Sequence, residues 1–203
     1  IDLLSLSGHK IHAPKGVGAL YVRKGVRLRP TMIGGHQERG RRGGTEAVPN
    51  IIALGQAAEL ARQHIAAENN QVKAKRDRLE QWLLANVPDC HLNGHPEQRL
   101  ANTTNIAFKY IEGEAILLSI SKVGICASSG SACTSGSLEP SHVLRAMNVP
   151  FTSIHGSIRL SLSRYTTDED IDYTIEHLPR IIERLRKISP FKSGADIPDP
   201  QAK

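Results

Sequence analysis

The chain of 203 residues and 22.2 kDa is 39% hydrophobic and 23% charged. That balance excludes a disordered tail and fits one medium domain or two small ones, at roughly 150 residues per domain. Aromatic residues make up only 4%, with Trp82 the single tryptophan, which argues against a base-stacking nucleic-acid platform; no apolar run approaches the roughly 18 residues of a membrane span. The net charge of +6 is spread diffusely. Three cysteines, Cys90, Cys126 and Cys133, are too few and too odd in number for a disulfide scaffold and fit a reducing, cytoplasmic compartment. The chain opens on Ile1-Asp2-Leu3-Leu4 with no initiator methionine and no charged leader, so it is expected to start inside a strand of a longer protein.

Residues 2–6 read as a short apolar strand running into the turn cluster Ser7-Gly8-His9-Lys10, and 17–23 as a second strand after Pro14-Lys15-Gly16. Residues 24–44 hold six Lys/Arg, six glycines and a proline, a loop composition without apolar period. Pro49 opens a helix to about residue 67, and a second helix covers about 70–86, closed by Pro88. Strands follow at 103–108, 125–127 and 157–162, with helices at 113–121 and 141–147 between them. Ser141 is a candidate N-cap. Thr167 with a carboxylate three residues on, Asp170, approximates a capping box for a helix to about 187, in which Pro179 predicts a kink or break. The Pro/Gly/Asp-rich tail after about 189 is expected to fray. These elements predict an α/β protein: a complete small domain from about residue 67 on, preceded at 1–66 by what looks like the end of a larger sheet.

Four segments carry candidate chemistry. Lys10, closing a Ser/Gly/His turn, is a candidate Schiff-base lysine; a lone turn lysine is more often merely solvated, but Ser7 and His9 beside it and the glycines Gly16 and Gly18 favour the site. The small-residue run 127–136 around Cys133 predicts a mobile loop with an accessible thiol, whereas Cys126 reads as buried at a strand end and Cys90 as an incidental loop thiol. The Arg/Gly segment 34–45, ending in Thr45, suits phosphate or carboxylate recognition better than nucleic acid. Arg159, inside an alternating strand, is balanced between an exposed edge charge and a carboxylate clamp. His9 and His12 lack partners at ligand spacing, so no zinc site is expected, and His142 and His155 read as structural or exposed.

In this order, Ser7-Gly8-His9-Lys10, Pro14-Lys15-Gly16, Gly35-His36-Gln37-Glu38-Arg39-Gly40, Gly44-Thr45, the residues 128–133 and Ile158-Arg159-Leu160-Ser161 resemble the NifS/IscS family of pyridoxal 5'-phosphate-dependent cysteine desulfurases, within the class V aminotransferase group. Residues 35–42 and 135–142 look closest to its nitrogen-fixation (NifS) branch. The resemblance implies fold type I, aspartate aminotransferase-like, with 1–66 the C-terminal remnant of the large cofactor-binding domain and its mixed sheet, and 67–203 a small α/β domain. It implies Lys10 as the lysine that carries the cofactor, with Ser7, Gly8 and His9 around its phosphate. Thr45 would reach the phosphate in a partner subunit, so a homodimer is implied. Cys133 would be the nucleophile and a transient iron–sulfur ligand, and Arg159 the clamp on the carboxylate of L-cysteine. The products would be L-alanine and a persulfide on Cys133, its sulfur passed to an iron–sulfur scaffold protein, with neither nucleic acid nor membrane as partner. Family members are much longer, so the chain on its own is expected to be inactive and poorly stable in its first third. A selenocysteine lyase or another class V relative would share Lys10 without needing Cys133. A basic sulfur-carrier or nucleic-acid-binding module on residues 23–42 is the non-enzymatic alternative.

Overall fold

The computed structural model describes residues 1–129 and 141–190. The chain divides into two compact units, Ile1–Ala66 and Ala67–Lys203.

In the first unit, strand β1 (Leu3–Ser7) pairs antiparallel with β2 (Gly18–Val22), Leu3 opposite Val22 and Ser7 opposite Gly18. A 3-10 turn, Gly8–Ile11, follows β1 and is ended by His12 at a φ of 67°, in the left-handed region. Gly8 is buried, and its N–H donates to the Val17 carbonyl at 2.9 Å. A Cβ at that position would stand 2.8 Å from the same oxygen, so only glycine fits. Leu3, Leu4, Leu6, Leu20 and Tyr21 are exposed, because a two-stranded ribbon cannot cover both of its own faces. Within 24–44 the structure adds one feature to the expected loop. Gln37–Gly40 forms a single turn, α1, whose Glu38 and Arg39 are both left-handed, at φ 52° and 60°.

One helix, α2, runs from Val48 to Asn86, and the division between the units falls inside it. Two helices were expected here. The sequence from Gln56 to Asn86 contains neither glycine nor proline, and the Asn69-Asn70 pair that invites a break costs well under 1 kcal/mol per residue against many strong helix formers. Pro49 sits in the first turn, where it is tolerated, and Pro88 stands two residues beyond the end.

The second unit is built on a three-stranded antiparallel sheet in the order β3 (Cys90–Leu92), β4 (Thr103–Phe108), β5 (Ser157–Ser161). Its helices after α2 are α3 (Gly113–Ser121), α4 (His142–Ala146), α5 (Phe151–Ile154) and α6 (Asp168–Ile188). The register sets Ile106 opposite Ile158 and Asn105 opposite Arg159. Strand alternation then sends Ile106, Phe108, Ile158 and Leu160 to one face. There they pack with Leu79 and Leu83 of α2, Ile116 and Ile120 of α3, and Ile171, Leu178 and Ile182 of α6. At the edge of this core the charges are paired. Glu80 accepts from Thr104 Oγ1 at 2.6 Å and meets Arg99 at 3.0 Å, while buried Arg76 donates to the Leu100 carbonyl at 3.1 Å.

Helix α6 begins with the full capping box: Asp170 N–H donates to Thr167 Oγ1 at 3.2 Å, and Thr167 N–H donates to Asp170 Oδ2 at 2.9 Å. Acidic residues fill its first turn and Arg186 and Lys187 its last, matching the helix dipole. It runs through Pro179 without the expected break. Leu178 and Ile182 are almost fully buried on either side of the proline, and their packing outweighs the roughly 3 kcal/mol that proline costs inside a helix. Three local expectations change. Residues 125–127 form no strand; only Ser128 bridges to the sheet. Ser141 occupies the N-cap of α4 without a side-chain capping bond. Cys90 lies in β3 rather than in a loop. The tail after residue 190 lies outside the described residues.

Two substitutions separate core from cap. Ile106→Ala lowers the unfolding free energy of the second unit by about 2–5 kcal/mol, and Thr167→Ala by about 1 kcal/mol, in urea titrations followed by Trp82 fluorescence. Equal losses from the two would contradict the packing described.

Candidate functional site

The sequence-predicted residues fall into two groups. Ser7, Gly8, His9 and Lys10 form one continuous turn of the first unit, at the point where β1 ends and the chain tightens into the 3-10 turn. Ser7 has extended backbone and its side chain makes no capping bond, so its hydroxyl is not committed to the turn; Ser7, His9 and Lys10 are all exposed. An amine, an imidazole and a hydroxyl thus stand within four residues on a backbone held from below by Gly8. This donor set fits an aldehyde cofactor bearing a phosphate: the amine matches the carbonyl carbon, the hydroxyl and imidazole the phosphate oxygens.

Thr45 is exposed on the segment between α1 and α2, apart from that turn in the chain. The preceding loop is held by its own arginine: Arg42 donates to the Gly43 carbonyl at 3.2 Å and to that of Gly44, and lies 3.5 Å from Glu38. Gly43 N–H closes the loop onto the Met32 carbonyl at 2.8 Å. Arg42 therefore shapes the loop, and Arg39 and Arg41 are left exposed on it.

Arg159 belongs to the second unit and stands on the sheet face opposite the core, with Ser157 and Ser161 of its own strand and Asn105 directly across. Its backbone is tied on the other side as well. Arg159 N–H donates to the Ser128 carbonyl at 2.6 Å and Ser128 N–H to the Arg159 carbonyl at 3.1 Å. The side chain is half-buried, and its Nε is buried without a hydrogen-bond partner among the described residues. A guanidinium is always charged and carries five donors in a fork whose geometry suits a carboxylate, so a half-buried one could bind an anion. Cys133 lies outside the described residues, five positions after Ser128. The strand bridge from Ser128 to Arg159 had no sequence signal, since Ser128 is one member of a run of small residues.

The other two cysteines are free thiols. Cys90 is half-buried, donating to the Val87 carbonyl at 3.0 Å; burial pushes its thiol up, opposed in part by the Arg186 guanidinium. Cys126 is exposed, not buried as expected, because the strand that would have covered it does not form. No three His, Cys, Asp or Glu side chains among the described residues group into a metal site. No described helix is long and apolar enough to cross a membrane.

Residues 1–174 match the family described as Aminotransferase class-V. The chain is 69% identical over 193 residues to a cysteine desulfurase of Trichormus azollae, an alignment covering 95% of this chain and 48% of that one. It is 62% identical over 194 residues to cysteine desulfurase NifS of Azotobacter vinelandii, covering 96% and 48%. Among solved structures it is similar to a NifS-like protein, at 36% identity and a TM-score of 0.80 over 91% of this chain and 47% of that one. The NifS-like protein of Rickettsia africae ESF-5 gives 33% and 0.80, covering 90% and 48%. The chain spans about half the length of the curated relatives it matches.

The two described thiols differ in reactivity. Because burial raises the Cys90 pKa, its thiolate is scarce at neutral pH and appears only as pH climbs above the ordinary thiol range. Brief iodoacetamide treatment of the native protein at pH 7.5, set on the order of one unit below an ordinary thiol pKa, is expected to alkylate Cys126 well before Cys90 by peptide mass mapping. Equal rates would contradict the burial of Cys90.

Proposed function

From the premise that this chain belongs to the aminotransferase class-V family, we propose that it carries part of a pyridoxal 5'-phosphate-dependent cysteine desulfurase that converts L-cysteine to L-alanine and supplies sulfur for iron–sulfur cluster assembly, in nitrogen fixation. The observation that carries this reading is the high identity to cysteine desulfurases along nearly the whole chain. The half-buried Arg159, whose Nε has no partner among the described residues, supports it. In this reading residues 1–66 are the C-terminal end of the large cofactor domain, and 67–203 the small domain. The apolar ribbon of β1 and β2, with both faces uncovered, is what such a sheet end would leave.

Lys10 would hold the cofactor through its amine, with Ser7, Gly8 and His9 at the phosphate and Thr45 reaching the phosphate of a partner subunit in a cytoplasmic homodimer. The cofactor supplies an electron sink for the carbanion next to its bound amino group. This chain's residues do the rest. Arg159 grips the α-carboxylate of L-cysteine and sets the Cα–H bond for removal. The free Lys10 amine would take the α-proton and later return a proton to carbon. Cys133 attacks the substrate sulfur as the thiolate. A sulfur–sulfur bond forms, the Cβ–S bond breaks, and its electron pair stays with the carbon skeleton, which is protonated to alanine. Cysteine and the Cys133 thiol thereby become alanine and a Cys133 persulfide, with no outside oxidant or reductant. The persulfide sulfur passes to an acceptor scaffold, and iron enters only as cargo, met transiently at Cys133.

With L-[35S]cysteine, the natural polypeptide carrying this sequence is expected to hold reductant-labile label on the Cys133 peptide alone, and Cys133→Ala to lose both label and sulfide transfer. Full alanine release by Cys133→Ala would instead favour a lyase of the selenocysteine type.

A further inference from the structure

The hydrogen-bond arrangement around Arg159 orients a neighbouring amide. On the polar sheet face, Asn93, Asn105, Arg159 and Ser128 follow one another across the strands. Asn93 N–H donates to the Asn105 carbonyl at 2.8 Å, Asn105 stands opposite Arg159, and Arg159 bridges to Ser128. Beneath the row, Ser157 Oγ–H donates to the Ser153 carbonyl at 2.9 Å. A carbonyl only accepts, so the single hydroxyl proton of Ser157 is committed there, and Ser157 Oγ is left to accept. The donor it faces is Asn93 Nδ2, at 3.0 Å. That contact fixes which end of the Asn93 amide is nitrogen. The second N–H of Asn93 then goes to Asn105 Oδ1, at 2.7 Å. Asn105 is oriented in turn: its oxygen is taken, and its NH2 is the end left over, without a partner among the described residues. Proton counting, starting from one backbone carbonyl, therefore orients both amides.

The NH2 of Asn105 and the guanidinium of Arg159 are both donors, and directly opposed residues of an antiparallel pair have Cβ atoms about 4.5–5.5 Å apart. Two donor groups side by side satisfy each other poorly and an anion well. We propose that Asn105 is a second ligand of the substrate α-carboxylate. Arg159 binds one part of the carboxylate and Asn105 Nδ2 donates to the other, with Asn93 and Ser157 holding the amide in that orientation. The assignment rests on the reading of Arg159 as the carboxylate clamp and adds the residue that would set the carboxylate's rotation.

The test uses the natural, cofactor-loaded polypeptide that carries this sequence. Asn105→Asp retains the oxygen that accepts from Asn93, and so the fold, but turns the outward donor into an acceptor beside Arg159. Asn105→Ala removes the group. Both are expected to raise KM for L-cysteine about tenfold or more, the scale of a hydrogen bond to a charged group, with Asn105→Asp the more severe. Inhibition by L-alanine should weaken in parallel, while inhibition by ethylamine, which lacks the carboxylate, stays as in the parent. A merely structural role would move both inhibitors alike. If Arg159→Ala weakens L-alanine binding and the Asn105 variants do not, the assignment of Asn105 is overturned and the clamp stands. If no variant discriminates L-alanine from ethylamine, the clamp and the second ligand fall together.

Discussion

The antiparallel register of β4 and β5 is the constraint on which the second unit depends. Ile106 opposite Ile158 and Asn105 opposite Arg159 are consecutive pairs of one ladder, and they point to opposite faces of the sheet. The first pair anchors a core shared with α2, α3 and α6, and its burial pins the register, since a one-residue slip would carry every apolar side chain of the strand to the wrong face. The second pair is carried along without needing packing energy of its own. A charged arginine can therefore be held in a half-buried position with its Nε unpartnered among the described residues. The stability of the core is what keeps an unsatisfied group in place on the other side of the sheet.

The same strand also fixes Ser128, five residues before Cys133 in the sequence. Ser128 exchanges both backbone hydrogen bonds with Arg159, so the residue proposed to grip substrate and the segment proposed to deliver the thiol share an attachment point. In the first unit the equivalent constraint is Gly8. The close approach of its backbone to Val17 admits no side chain, and it turns Ser7, His9 and Lys10 outward together.

Much of this was legible in the sequence, for reasons that differ from element to element. The alternation in 157–162 and 103–108 marked strands because one face of each is buried, and Thr167 with Asp170 marked a helix start because a local capping box needs no tertiary help. Lys10, Arg159 and the turn around Ser7 stood out because their residue types sit in turns or strands where packing does not call for them. What failed was what tertiary structure decides. Pro179 promised a kink or a break, and burial of Leu178 and Ile182 carries the helix on without the break. The interruption expected between about residues 67 and 70 is absent, because strong formers carry one helix through it. Cys126 was expected in a buried strand that does not form, and three-residue β3 is too short to show a period. The role assigned to Asn105 was invisible, because it arises from a chain of proton commitments through Ser153, Ser157 and Asn93 that no local pattern encodes.

The most direct measurement is borohydride reduction of the cofactor-soaked natural polypeptide, followed by peptide mass mapping. A pyridoxyl mass on the peptide containing Lys10, and on no other lysine, is the result this account predicts. A polypeptide that binds pyridoxal 5'-phosphate but carries the label elsewhere, or that takes up none at Lys10, would contradict it.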